Sequence, residues 1–88
     1  MIPTLPEGWS GDERRIRRTF RFGSFRAAMA FMVEVAFEAE ARDHHPEWRN
    51  VHDRVEVELT THDAGRVTDE DLALALHMNA VHARVAGA

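Results

Sequence analysis

Two segments of the chain alternate between apolar and polar residues, as strands with one buried face do. The first covers residues 14–22 and the second covers residues 55–61. A shorter strand at residues 50–52 is predicted to join the second through a turn at residues 53–54, which gives a hairpin. The apolar sides of the two longer strands consist of Ile16, Phe20, Phe22, Val55, Val57, Leu59 and Thr61.

A helix is predicted between the first strand and the hairpin, because apolar residues recur there every three or four positions. Ser24 is a natural N-cap, and the helix is expected to end at residue 42 or 43. Its apolar stripe is wider than contact with one sheet requires, which hints at a subunit interface, although core packing alone is the more frequent explanation for such a stripe. The stripe is predicted to consist of Phe25, Met29, Met32, Ala36 and Ala39, widened by Ala30, Val33 and Phe37.

A second helix is predicted to close the chain. Thr68 is its N-cap, and Asp71 stands three residues later, at the acidic position of a capping box. The polar sides of this helix carry His77 and His82, which are predicted to be surface residues. Its apolar positions are Leu74, Met78, Val81 and Val85, with Leu72, Ala75 and Leu76 beside them.

The order strand, helix, hairpin, helix predicts an α+β fold, with a small antiparallel sheet covered by helices on one face. Residues 1–88 are expected to form one domain, in which residues 1–11 are an irregular lead-in. A chain of this length buries a modest core, so association between copies would add to its stability.

Composition narrows the classes of function. The chain contains no cysteine, which excludes disulfides, a thiolate nucleophile and a cysteine-type zinc site. The formal net charge of −4 gives no general reason to bind nucleic acid directly. No apolar run approaches the ~20 residues that span a bilayer, and the first residues lack the features of a signal peptide. A cytoplasmic protein without membrane or nucleic-acid partners is therefore expected.

The candidate chemistry centres on His44 and His45, which precede Pro46, and on a third histidine, His62. Imidazole gains and loses protons near neutral pH, so three such rings with nearby carboxylates suit general acid/base catalysis. Pro46 disfavours helical geometry at His45, so the two adjacent histidines are expected to point in different directions. Glu40 lies four residues before His44 and is predicted either to reach that ring or to remain solvated.

Four short segments carry a specific family signature at consistent spacing. They are Asp43-His44-His45-Pro46-Glu47-Trp48, Asn50-Val51, Thr61-His62 and Asp71-Leu72. Together they resemble the pterin-4a-carbinolamine dehydratase family, which in mammals also contains the dimerisation cofactor of a hepatocyte transcription factor. The resemblance extends from about Trp9 to Val81. Its departures are Arg49 and His52, where the family often has aromatic residues, an early glycine after His62 and a short lead-in; none removes a motif histidine.

The resemblance implies a 4a-hydroxytetrahydrobiopterin dehydratase of tetrahydropterin recycling, which converts 4a-hydroxytetrahydropterin into quinonoid dihydropterin and water. It implies that His44 and His62 are the acid/base histidines and that His45 mainly holds the pterin. No metal or cofactor is implied, since the pterin is the substrate. Family members form dimers and tetramers, so a homodimer or homotetramer is expected. The implied supporting residues are Glu40, Asp43, Pro46, Trp48, Thr61 and Asp71.

Two other classes of function remain open from the sequence. His44, His45 and His62 with a carboxylate are of the type that binds zinc or iron, although adjacent histidines seldom ligate one ion. Alternatively, the chain is a non-catalytic dimerisation or scaffolding module whose histidines are vestigial. That alternative predicts tight self-association, a defined protein partner and no turnover.

Overall fold

A computed structural model describes residues 4–87, which form a four-stranded antiparallel sheet and two helices. The sheet order is β1-β2-β4-β3. The elements are β1 (Ser10–Gly11), β2 (Ile16–Arg21), α1 (Phe25–Arg42), β3 (Glu47–Val51), β4 (Arg54–Leu59) and α2 (Asp69–Gly87). The predicted α+β class is confirmed, and the short strand β1 is an addition to the predicted order. Residues 1–3 of the predicted lead-in and residue 88 lie outside the described residues.

The core lies between one face of the sheet and the two helices. The register of β2 and β4 sets Ile16 opposite Leu59 and Phe20 opposite Val55, so the apolar sides of the two strands coincide. The ring of Phe31 from α1 packs 4.8 Å from that of Phe20, measured between centroids. Burying each of these large side chains stabilises the fold by roughly 1.5–3 kcal/mol. The remaining core residues are Trp9, Phe22, Ala28, Val35, Val57, Leu74, Ala75, Met78 and Val81.

The buried face of α1 differs from the predicted stripe. The fully buried residues are Ala28, Phe31, Val35 and Ala39, so only Ala39 of the predicted stripe is among them. Val33 and Phe37 are instead 59% and 74% exposed. The prediction was wrong because α1 is apolar on more than one side, and a period of 3.6 residues does not say which side meets the sheet.

The two ends of α1 are set by local signals. The predicted N-cap is confirmed, since Ser24 Oγ accepts a hydrogen bond from the backbone N–H of Ala27 at 3.1 Å. At the other end Asp43 adopts a left-handed conformation with φ 52° and ψ 43°. The backbone N–H of His44 then donates to the carbonyl of Ala39, which completes the helix end. The left-handed residue turns the chain away from α1 directly before the histidine pair.

The hairpin is displaced from its predicted position. The turn consists of residues 52–53, and His52 has a positive φ of 54°. As a result β3 covers Glu47–Val51 instead of residues 50–52, and β4 ends at Leu59. Beyond β4, Thr61 forms an isolated bridge with Arg66. The first long strand is also shorter than predicted, since β2 is confined to Ile16–Arg21.

The lead-in is anchored to α2 by Asn79. The Oδ1 atom of Asn79 accepts hydrogen bonds from Trp9 Nε1 at 2.9 Å and from Arg18 Nη1 at 2.6 Å. Its Nδ2 donates to the carbonyl of Glu7 at 2.9 Å. Gly8 has a φ of 83°, and a Cβ there would come within 2.6 Å of the Arg18 guanidinium. The lead-in is therefore held by specific contacts, not only by its apolar residues.

The prediction that His77 and His82 lie on the surface is only partly right, since both are intermediate in exposure. The ring of His82 packs 5.1 Å from those of both Phe20 and Phe22, and its Nε2 is 2.9 Å from the carbonyl of Arg21. His77 is partly buried, and its Nε2 has no hydrogen-bond partner among the described residues.

Neither α1 nor α2 has the length and hydrophobicity of a membrane-spanning helix.

Candidate active site

The three predicted site histidines meet in one cavity of about 210 Å³. His44 and His45 follow the left-handed turn that ends α1, and His62 follows the end of β4. The cavity is thus formed where two loops come together beside the start of α2. Its lining residues are Asp43, His44, His45, Thr60, Thr61, His62 and Asp63.

His44 is paired with a buried carboxylate. Its Nε2 is 2.6 Å from Oδ1 of Asp71, whose side chain is fully buried, while that of His44 is 13% exposed. The second oxygen of Asp71 accepts hydrogen bonds from Thr61 Oγ1 at 2.7 Å and from the backbone N–H of Thr68 at 2.9 Å. The bond from Thr68 is one half of the predicted capping box; the other half is missing, because the Thr68 hydroxyl lies 2.7 Å from that of Thr61 and the backbone N–H of Asp71 donates to the Thr68 carbonyl. Both oxygens of this buried charge therefore have hydrogen-bond donors, as a buried carboxylate requires.

Glu40 contacts the other histidine of the pair. Its Oε1 is 2.7 Å from Nε2 of His45, so of the two predicted alternatives the contact with His44 is wrong and the exposed carboxylate is confirmed. The left-handed turn at Asp43 explains the difference, since it directs His44 away from α1 and toward Asp71. Both partners of the Glu40–His45 pair are exposed, at 79% and 55% of their side chains.

His62 is paired with Glu47, a residue for which the sequence predicts no role beyond its place in the motif. The Nε2 atom of His62 is 3.0 Å from Oε2 of Glu47, the first residue of β3. The contact forms because β3 begins three residues earlier than predicted and runs antiparallel to β4, which leads into His62. A correct hairpin register would have revealed it, since Glu47 lies opposite Glu58 near the end of β4.

The three pairs follow one pattern. Each histidine presents Nε2 to a different carboxylate, and each Nδ1 is without a hydrogen-bond partner within residues 4–87. A carboxylate that accepts a hydrogen bond from Nε2 fixes the tautomer and the direction of the ring. For each of the three rings, Nδ1 is therefore the nitrogen that is left without a carboxylate partner.

The remaining predicted site residues take different places. Asp43 forms the turn and lines the cavity, whereas Pro46 stands between the histidine pair and β3. Trp48 is partly buried against the core, paired with Val57, and is not among the residues that line the cavity. Within residues 4–87 no group of three or more histidine, aspartate or glutamate side chains is placed to hold a metal ion.

Comparison with known proteins gives the family. The family model described as pterin 4 alpha carbinolamine dehydratase matches residues 2–81. The chain belongs to the pterin 4 alpha carbinolamine dehydratase family. Two relatives with provisional names as pterin-4-alpha-carbinolamine dehydratases show how similar its members are. One from Opitutus terrae is 60% identical over 70 residues, which cover 78% of this chain and 72% of the relative. One from Rhodopseudomonas palustris is 58% identical over 80 residues, 89% of this chain and 79% of the relative.

Two solved structures share the fold. A transcriptional coactivator/pterin dehydratase from Brucella melitensis superposes with a TM-score of 0.84 at 42% identity, covering 86% of this chain and 83% of that one. A pterin dehydratase-like protein identified as a RuBisCO assembly factor in the alpha-carboxysome gives a TM-score of 0.70 at 21% identity, covering 84% and 86%. At that identity the second likeness concerns the fold alone.

Proposed function

We propose that the protein removes water from 4a-hydroxytetrahydropterin to give quinonoid dihydropterin. The observation that carries the proposal is the cavity in which three histidines of a dehydratase-family chain each face a separate carboxylate. Imidazoles held in this way can both donate and accept protons near neutral pH.

The reaction requires one acid and one base. A proton is delivered to the hydroxyl oxygen on C4a, the C4a–O bond breaks, and water leaves. The N5 proton is then taken by a base, so that a C4a=N5 double bond forms. We assign these proton transfers to His44 and His62, and we assign His45 mainly to holding the pterin. The protein's own rings supply both steps without electron transfer.

None of the three carboxylates is among the residues that line the cavity. Each of them contacts one histidine, as described for Asp71, Glu40 and Glu47. Each carboxylate therefore acts through the histidine ring that it contacts. The Asp71–His44 pair is buried, whereas the pairs of His45 and His62 are exposed. The position of His44 is therefore the most strongly constrained. Thr61 supports the same pair, since its hydroxyl donates to Asp71.

Stopped-flow ultraviolet absorbance of freshly generated 4a-hydroxytetrahydropterin tests the activity. The wild-type protein should accelerate decay, and His44→Ala or His62→Ala should reduce the acceleration by roughly 10²–10⁴-fold, the usual contribution of general acid/base catalysis. His52→Asn is the matched control, because His52 is an exposed histidine in the hairpin turn and does not line the cavity.

Each contrary result has a clear meaning. A folded wild-type protein that leaves the spontaneous rate of 4a-hydroxytetrahydropterin decay unchanged would reject the dehydratase function. It would favour the non-catalytic dimerisation or scaffolding module. Activity that is lost on treatment with a chelator would instead favour a metal site. Equal activities of His62→Ala and His52→Asn would remove His62 from the mechanism.

We also infer that the protein self-associates, with a second copy covering the exposed face of α1. This face forms a shallow apolar depression around Ala30, Val33 and Phe37, with Arg26 at one end and Glu34 on its side. Exposed apolar surface of this kind marks contact sites.

Charge favours a second copy as the occupant. Arg26 and Glu34 each lie four residues from Ala30, on opposite sides of it along α1. In an antiparallel pair of α1 helices centred on Ala30, Arg26 of each copy would therefore meet Glu34 of the other and share that carboxylate with Arg84, which already donates to both of its oxygens. Such a contact is isologous and closes on itself, as a two-fold dimer requires.

A further inference from the structure

We propose that Glu47 is a positioning residue for His62 and that Arg15 holds it in place. The inference rests on the proposed function, because it concerns how one histidine of the same cavity is oriented. It adds a residue of the sheet to a site otherwise formed by the ends of helices and loops.

The two carboxylate oxygens of Glu47 have different neighbours. Oε2 is 3.0 Å from Nε2 of His62, and Oε1 is 3.9 Å from Nη1 of Arg15. The same Nη1 donates a hydrogen bond of 2.5 Å to Oε1 of Glu58. The hydrogen bond from Arg15 to Glu58 raises the pKa of the guanidinium, so Arg15 remains a fixed positive charge. Successive contacts thus connect Glu58 to Arg15, Arg15 to Glu47, and Glu47 to His62, which lines the cavity.

Stability of the sheet does not account for Glu47. The register places it directly opposite Glu58 on β4. Like charges at directly opposed positions of an antiparallel pair are destabilising, and Arg15 only offsets this repulsion. The contact with His62, and not the pairing of β3 with β4, therefore explains a carboxylate at this position.

His62 is the histidine that most needs such a partner. Its side chain is 76% exposed, compared with 13% for His44. It stands in the turn that follows β4, where no packing fixes its ring. Oε2 of Glu47 lies 3.0 Å from Nε2 of His62, close enough for this carboxylate to fix the ring and leave Nδ1 for the substrate, in the way that carboxylates orient the histidines of many catalytic sites.

The test compares Glu47→Gln with Glu56→Gln in kinetics and in nitrogen-15 NMR of histidine. Glu56 is the matched control: it lies on the same face of the sheet, faces Arg49 across the strands, and contacts no histidine. In Glu47→Gln, kcat should fall roughly tenfold, as when a residue that orients a catalytic ring is removed. KM should stay within about twofold, because substrate contacts are unchanged.

NMR measures the contact between Glu47 and His62 in the absence of substrate and catalysis. In the wild type, the His62 signals should show the neutral tautomer protonated at Nε2, and in Glu47→Gln they should shift toward a mixture of tautomers. Arg15→Gln, which releases Oε1 only, should give a smaller shift and a smaller loss of kcat.

Failure of this inference can be told apart from failure of the proposed function. A wild type without dehydratase activity rejects the function, while the tautomer measurement still tests the contact. A Glu47→Gln protein with the kcat and His62 tautomer of the wild type overturns the positioning role. A rise in KM alone also overturns it, since Glu47 would then bind substrate directly.

Discussion

Nε2 of His44 lies 2.6 Å from Oδ1 of Asp71, and this contact joins the segment after α1 to the first turn of α2. The carboxylate is fully buried and also accepts a hydrogen bond from the backbone of Thr68, so one side chain caps a helix and holds a ring of the site. Stability and the proposed activity therefore depend on the same atoms.

Replacing Asp71 with asparagine should lower both properties. Asparagine has the same shape but offers one acceptor oxygen where the carboxylate offers two, so a buried donor loses its partner. We expect the free energy of unfolding to fall by about 1–3 kcal/mol and kcat to fall at least about tenfold. Urea denaturation and stopped-flow absorbance measure the two effects.

Asp69→Asn is the control for Asp71→Asn, since Asp69 is an exposed acid in the same first turn. Exposed substitutions usually change stability by no more than about 0.5 kcal/mol. Equal losses of stability in the two variants would mean that the helix dipole, and not the buried hydrogen bonds, explains the effect.

Removing the side chain of Asn79 should destabilise the fold without affecting catalysis. Asn79→Ala deletes the partner of Trp9 Nε1 and of Arg18 and should cost about 1–3 kcal/mol, because buried donors lose their acceptor. Tryptophan fluorescence during urea denaturation gives the midpoint. Asn79→Asp keeps the acceptor oxygen and should lose less. A fall in kcat as large as that of Asp71→Asn would contradict the view that this cluster is structural.

Acid should destabilise the protein partly through Asp12. Hydrogen bonds from the backbone N–H groups of Arg14 and Arg15 lower the pKa of Asp12 below its ordinary value. The folded state then binds the proton less readily than the unfolded state. The resulting stabilisation is present above the unfolded pKa and is lost as the pH falls through the folded pKa.

The measurement is the difference between the urea midpoints at pH 7 and pH 3. This difference should be smaller in Asp12→Asn, whose amide oxygen still accepts hydrogen bonds but does not titrate in this range. The neighbouring substitution Glu13→Gln controls for loss of one negative charge. If Asp12→Asn retains the full wild-type difference, Asp12 does not contribute to acid sensitivity.

Self-association should depend on the exposed face of α1. Phe37 is 74% exposed on that face, and Phe37→Glu should reduce the mass measured by sedimentation equilibrium, because a charge would be buried between copies. Leu76→Glu is the matched control, as Leu76 is 59% exposed but lies outside the depression. A wild type that sediments as a monomer, or equal effects of the two variants, would reject this interface.

The sequence predicted the parts of the fold that local signals determine. Ser24 and Thr68 mark the helix starts, and the alternation around Val57 identifies the strand β4. The exposed side of α1 was not predictable, because Phe37 and Phe31 are equally apolar and only their tertiary contacts differ. The fold class follows from the order of elements, which needs no knowledge of such contacts.

For the candidate site, the motif predicted the residues but not their partners. The contact of Glu40 with His45 was not predicted, because the left-handed conformation of Asp43 is a single-residue feature with no periodicity. Glu47 received no role because its contact with His62 depends on a strand register that the hairpin turn at residue 52 sets.

The three carboxylates that face the histidines belong to three different elements: Glu40 to α1, Glu47 to β3 and Asp71 to α2. No single helix or hairpin contains all three carboxylate–histidine pairs. Recovery of activity after dilution from urea would therefore report assembly of the whole chain, and it should lag behind the return of helical circular dichroism if any partly folded species accumulates.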